Sequence, residues 1–150
     1  MPPTDPFTSE RNALIVHRLT AWARERGGGV VSGPDGGYFL PDGSRFAPDA
    51  AWFEKKRYQA ALTPGVRFPV FVPELVVELR SPSDRRRALE EKMEAWIANG
   101  ARLAWLIDPM ENSVAIYRPD QAPEVLAGPA EVKGDGPVEG FTLALDGILD

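Results

Sequence analysis

The sequence predicts a fold of the α/β or α+β class built around a mixed β-sheet. Three observations predict it. Two segments repeat apolar residues at helical spacing, and short runs rich in β-branched and aromatic residues lie between and after them. Glycine and proline clusters divide these into the order helix, strands, helix, strands. The first helix is predicted over residues 10–26, where Ile15, Leu19, Trp22 and Ala23 recur on one face. Thr8 or Ser9 can cap its start, and Gly27, Gly28 and Gly29 end it. The stretches GVVS, GYFL and RFAPDAAWF then read as short strands, with the PDG at 41–43 as the turn joining the last two. EKKRYQAAL, 54–62, reads as a short exposed helix broken by Thr63-Pro64-Gly65. PELVVELR is the most strand-like segment. A second long helix follows from Arg85 to Asn99, with Leu89, Met93, Trp96 and Ile97 as its apolar face and Gly100 as its stop. ARLAWLID and SVAIYR form a hairpin around PMEN, and the tail is rich in Pro and Gly with short apolar runs such as FTLAL.

The chain has 150 residues, which fits one domain spanning 1–150, with residues 1–9 expected to be flexible. It contains no cysteine, so disulfides, zinc–thiolate sites and cysteine nucleophiles are excluded. The start lacks a basic segment followed by an apolar one, and no apolar run is long enough to span a bilayer. A soluble, cytoplasmic protein without a membrane partner is expected. The net charge of −5 argues against a large non-specific nucleic-acid surface but is compatible with a local basic patch.

One residue raises a question. Glu78 stands inside the apolar run Leu75, Val76, Val77, Leu79, where an unpaired carboxylate is costly. Strand alternation puts Glu74, Val76, Glu78 and Arg80 on one face and Leu75, Val77 and Leu79 on the other. One face is then core, and the other presents two carboxylates and a guanidinium. Asp49, read as lying within a strand among the small residues Ala47, Ala50 and Ala51, can approach Glu78 if the two strands are neighbours. Two carboxylates that close repel unless a cation bridges them, and a hard divalent ion does so: magnesium, or manganese in its place. Lys92 lies one helical turn from both Leu89 and Trp96 and so borders the buried face, within reach of the carboxylate strand.

Plainer readings stand beside each of these. Glu78 can pair with Arg80 or a helix lysine in a structural network. Asp49 after Pro48 can be a turn residue, Glu74 after Pro73 an exposed strand-start residue, and Lys92 a solvated flank with helical ion pairs. His17 reads as a surface residue without a catalytic partner. Ser81, with Pro82 and Asp84, reads as a helix cap rather than a nucleophile. Arg85, Arg86 and Arg87 fall in the first turn of the second long helix, where positive charge opposes the dipole. That placement mildly favours an anion such as phosphate over a plain basic edge. The glycine clusters at 27–29 and 33–37 lack the lysine and helix context of a phosphate loop.

Taken together, LPDGSRFAPDAAW, PELVVELRSPSD, EKMEAWIANGARLAWLIDP and AIYRPD, with the closing GFTLALDGIL, resemble the PD-(D/E)XK nuclease superfamily and, within it, the Uma-type restriction-endonuclease family common in bacteria. The resemblance runs from about Arg11 to the C-terminus. It implies a restriction-endonuclease-like mixed sheet flanked by helices, with an additional C-terminal β-hairpin region. It also implies metal-assisted hydrolysis of phosphodiester bonds in DNA, with Asp49 and Glu78 as the Mg2+ (or Mn2+) ligands. Arg80 occupies the place of the superfamily's lysine, and Lys92 resembles the lysine that this branch carries on the next helix. The catalytic set is then Asp49, Glu78, Lys92 and Arg80. Relatives of this kind begin with a further segment bearing an acidic turn, and this sequence starts near where that segment ends. The implied partners are DNA and a second copy in a homodimer. The alternative is a nuclease-fold protein that binds nucleic acid or a protein partner without cutting, and a third reading is an interaction protein whose acids never bind metal.

Overall fold

The computed structural model describes residues 3–150. It has three helices and a six-stranded mixed sheet in the order β1-β4-β5-β6-β7-β8. The strands are β1 (Gly29–Ser32), β4 (Ala50–Glu54), β5 (Leu75–Leu79), β6 (Leu103–Asp108), β7 (Ser113–Tyr117) and β8 (Glu124–Ala127). Only β5 and β6 are parallel; the other neighbours are antiparallel. Parallel neighbours need a crossover, and α3 (Arg86–Ala98) supplies it. Two short antiparallel pairs complete the fold: β2 (Tyr38–Phe39) with β3 (Arg45–Phe46), and β9 (Glu131–Lys133) with β10 (Thr142–Ala144). The second pair is the expected C-terminal hairpin region. No described helix is long and apolar enough to cross a membrane.

Helix α1 (Pro6–Arg26) starts four residues earlier than expected. Asp5 is its cap, accepting from the backbone N–H of Phe7 and Thr8 at 3.0 Å each. Pro6 fills the first turn, where its missing donor costs nothing. Residues 6–9 are therefore helical, while Met1 and Pro2 lie outside the described residues. Gly27, with φ at 77°, ends the helix in a conformation that suits glycine. Gly29 opens β1 against the Trp52 indole, where a Cβ would stand 2.1 Å from Nε1.

The sheet is covered on both faces, which corrects the expectation of one core face and one polar face on β5. Ile15, Leu19 and Ala23 of α1 pack with Trp52, Leu75, Val77, Trp105 and Ile107 and with the C-terminal segment. On the opposite face, Leu89, Met93 and Trp96 of α3 pack with Ala51, Val76, Ala104, Leu106 and Ala115. Glu74 is buried rather than exposed. Its Oε1 accepts from Nε of Arg57 at 3.0 Å, on α2 (Lys55–Ala61), and its Oε2 accepts from the Glu54 backbone at 3.1 Å.

The N-terminal end of α3 also differs from expectation. Arg85 takes the cap position without a side-chain bond, and Ser81 does not cap the helix. Instead Asp84 closes the preceding turn, accepting from the backbone and hydroxyl of Ser81 at 2.9 and 3.0 Å. What anchors this end is Asp108, which is fully buried at the end of β6. Its Oδ2 accepts from Arg80 at 2.9 Å and from Arg86 at 2.8 Å, and its Oδ1 accepts from the backbone of Met110 and Glu111 at 3.0 Å each. Burial alone would raise the Asp108 pKa; the Arg86 and Arg80 hydrogen bonds outweigh it and hold the carboxyl below its usual range. The basic first turn of α3 is explained in part by this: Arg86 serves Asp108 and Arg87 pairs with Glu91.

Asp108→Ala leaves two guanidinium groups without their buried acceptor. It should lower unfolding stability by about 3 kcal/mol in urea titrations at neutral pH. A depressed pKa stabilises above the unfolded value and is lost as pH falls, so the gap to wild type should narrow below about pH 4.

Candidate active site

The antiparallel register of β4 and β5 sets Ala50 opposite Val77 and Ala51 opposite Val76, so the next step toward the β4 start brings Asp49 beside Glu78. Asp49 lies in the bend just ahead of β4, not inside the strand. The RFAPDAAWF stretch is two elements, β3 and β4, because the alanine-proline step interrupts the extended run before Asp49. Asp49 Oδ2 accepts from the Leu79 backbone at 2.7 Å, which ties the loop acid to the strand that carries Glu78.

Glu78 is buried under α3. Its Oε2 receives Lys92 Nζ at 2.9 Å and Trp96 Nε1 at 3.1 Å, two donors one helical turn apart on α3. Lys92 Nζ also lies 5.4 Å from the Phe46 ring centroid, and Phe46 in turn packs on Trp96 at 5.2 Å. Trp96 was expected only as part of the apolar face; its ring does fill the core, and its single donor is used on the carboxylate. The available signal was its position four residues after Lys92, since a buried indole N–H needs an acceptor.

The structure therefore brings together Asp49, Glu78 and Lys92. It does not bring Arg80 to them. Arg80 shares the β5 face with Glu78 but turns to Asp108 at the neighbouring strand end. His17 is exposed on α1, as expected.

The electrostatics are unbalanced. Lys92 is paired with Glu78, whereas Asp49 has no ion-pair partner among the described residues. Burial and the nearby negative charge of Glu78 push the Asp49 carboxyl up to about 7, and the Leu79 N–H and Lys92 only partly oppose this. Oδ1 of Asp49 and Oε1 of Glu78 take no hydrogen bond from the described residues, so each carboxylate keeps one oxygen for another ligand. Two carboxylates are the protein's share of this donor set; no group of three or more His, Asp or Glu converges among the described residues. That share fits magnesium, which takes one or two carboxylates and completes its shell with water and substrate phosphate.

The chain is thus an α+β protein whose mixed sheet, covered on both faces, brings half-buried Asp49 beside buried Glu78. A crystal structure titled as that of "a putative nuclease belonging to DUF820" from Anabaena variabilis ATCC 29413 has the same fold, with a TM-score of 0.81. The two are 18% identical in sequence, and the match covers 99% of this chain and 83% of that one. The family model Uma2, described as "Putative restriction endonuclease", matches residues 1–146, and the chain belongs to that family. No curated protein matches it.

Asp49→Asn tests the charge imbalance. With an unfolded value near 3.8 and a folded value of about 7, native wild type holds a proton that the unfolded chain has released between those limits. Wild-type stability should therefore fall as pH rises from about 4 to about 7. The neutral Asn avoids this, so its melting temperature should exceed that of wild type by several degrees at pH 8, roughly as 1–2 kcal/mol would give. The difference should disappear near pH 4.

Proposed function

We propose that the protein is a metal-dependent endonuclease that hydrolyses phosphodiester bonds in DNA, with Asp49 and Glu78 holding Mg2+ or Mn2+. The observation that carries this reading is the charge-unbalanced pair of half-buried Asp49 and buried Glu78 with Lys92 alongside, in a member of a family described as "Putative restriction endonuclease". A divalent ion held there would polarise the scissile phosphate and lower the pKa of the attacking water. Asp49 contributes an oxygen donor that is fully anionic only above its raised pKa. Glu78 contributes a second, held in one orientation by Trp96. Lys92, a quarter exposed and 2.9 Å from Glu78, is the cation placed to stabilise charge developing on the phosphate. Arg80 acts as a positioning residue: through Asp108 it fixes the end of β5 relative to β6 and α3.

A second reading is a nuclease-fold protein that binds nucleic acid without cutting it. It is favoured by the pairing of Lys92, whose charge is already shared with Glu78.

Two measurements decide. Calorimetric titration of Mn2+ should show binding to wild type and none to Asp49→Ala. The affinity should rise by about tenfold per pH unit below 7 and level off above it, because the metal competes with the Asp49 proton. Absence of binding to wild type at pH 8, with and without a DNA phosphate present, would remove the metal role. Cleavage of DNA by wild type, assayed on single-stranded circles and on plasmid, should fall by at least about 100-fold in Glu78→Gln and in Lys92→Met. Unchanged cleavage in Glu78→Gln would overturn the site, and unchanged cleavage in Lys92→Met would remove that lysine from the mechanism.

A further inference from the structure

The β2–β3 hairpin has two faces. Its register pairs Tyr38 with Phe46 and Phe39 with Arg45. Tyr38 and Phe46 face inward and pack on Trp96, with ring centroids 6.2 and 5.2 Å away. This inner face lies over the Lys92 and Glu78 side of the acid site. The outer face carries a different arrangement. The Arg45 guanidinium sits 4.7 Å from the Phe39 ring centroid, and Phe39 packs against Phe68 at 5.6 Å. The Arg67 guanidinium in turn lies 5.3 Å from the Phe68 centroid. Arg45, Phe39, Phe68 and Arg67 thus form one ladder of planar groups.

The ladder is open to solvent. Phe68 is 48% exposed, and Val66 and Val70 beside it are 45% and 62% exposed. Neither Arg45 nor Arg67 forms an ion pair among the described residues, so their donors remain available while each guanidinium lies over a ring. Along the chain, residues 43–73 hold five basic side chains and two acidic ones, against −5 for the whole chain; one of the five, Arg57, is paired with Glu74 just beyond this stretch, and Arg45 and Arg67 are those on the ladder.

We propose that this outer face is a stacking platform for unpaired nucleobases, which makes single-stranded nucleic acid the substrate class of the adjoining site. The catalytic half of that statement rests on the nuclease reading above; the platform itself does not. Two adjoining rings, of which Phe68 is exposed, flanked by two arginines offer a flat face to a base and guanidinium donors to phosphates. A duplex hides its base faces in its own stack and presents only edges and backbone, so the complement to this surface is a strand whose bases are free. A second copy of the chain fits less well, because self-association through this face sets Arg45 and Arg67 against their own copies.

The test is fluorescence polarisation in EDTA, using labelled oligothymidine and oligouridine of about 20 nucleotides and a duplex of the same length. Wild type should bind a single strand more tightly than the duplex, and Phe68→Ala should weaken that binding by about 5- to 100-fold. Phe68→Trp should retain it. Phe68 is half exposed, so these variants should keep the wild-type melting temperature. The preferred oligomer assigns the sugar, and either one supports the platform. Equal affinity for the duplex, no binding to either oligomer, or binding indifferent to Phe68→Ala would overturn it. A concentration-dependent dimer that Phe68→Ala dissolves would also overturn it, by giving the patch to a second copy. The two readings separate cleanly because EDTA prevents metal-dependent turnover. Phe68-dependent binding without any cleavage under Mn2+ removes the nuclease and keeps the platform; cleavage with Phe68-independent binding does the reverse.

Discussion

A carboxylate buried at the centre of the sheet sets the terms for the structure around it. Glu78 lies on a strand with neighbours on both sides, beneath a helix, where little of it meets water. It persists because Lys92 and Trp96 both deliver donors to the same oxygen from consecutive turns of α3. That requirement fixes the rotation of α3 about its axis as firmly as its apolar residues do. The parallel β5–β6 crossover makes it possible, since it returns the chain over this face immediately after β5.

The same strand shows how buried charge is distributed among elements. Three charged side chains of the β5 segment alternate with apolar ones, and each is met by a different neighbour. Glu74 is met by Arg57 of α2, Glu78 by Lys92 of α3, and Arg80 by Asp108 of β6. Breaking any of these would leave an uncompensated charge, so together they enforce the positions of three elements around one strand. Asp49 is the exception. It reaches the same place from the neighbouring chain segment and brings no cation with it. The excess negative charge at this point is the physical basis for expecting a cation there, and together with the larger effect of burial it raises the Asp49 pKa.

The surface around this acid pair divides chemically. Beneath the β2–β3 hairpin lie packed aromatic rings and the Lys92–Glu78 pair; above it lie two adjoining phenylalanines, each with an arginine over its ring. A two-stranded hairpin allows this because successive residues point to opposite sides. One short element thereby packs on Trp96 and Lys92 and presents arginine and aromatic side chains outward on a protein that is acidic as a whole.

Much of this was legible in the sequence. Helical and strand periods located both long helices and the central strands, because hydrophobic spacing follows directly from local geometry. The isolated Glu78 and the Asp49 that follows a proline marked the acid pair, and Lys92 was recognisable from its place beside the buried stripe. Other features were decided only by tertiary structure. Sequence alternation could not show that both sheet faces are covered, since that depends on where α1 and α3 return. Nor could it direct Arg80, whose side chain has the reach for either Glu78 or Asp108; the parallel register settled the choice by placing the fully buried Asp108 beside it. Glu74 was read as exposed because its partner, Arg57, lies 17 residues away in sequence. Trp96 was read as apolar because a periodic pattern records the ring and not its one polar atom. Local spacing determined which residues would be buried. The contacts between distant segments decided which buried charges would be neutralised, and left Asp49 beside them without an ion-pair partner among the described residues.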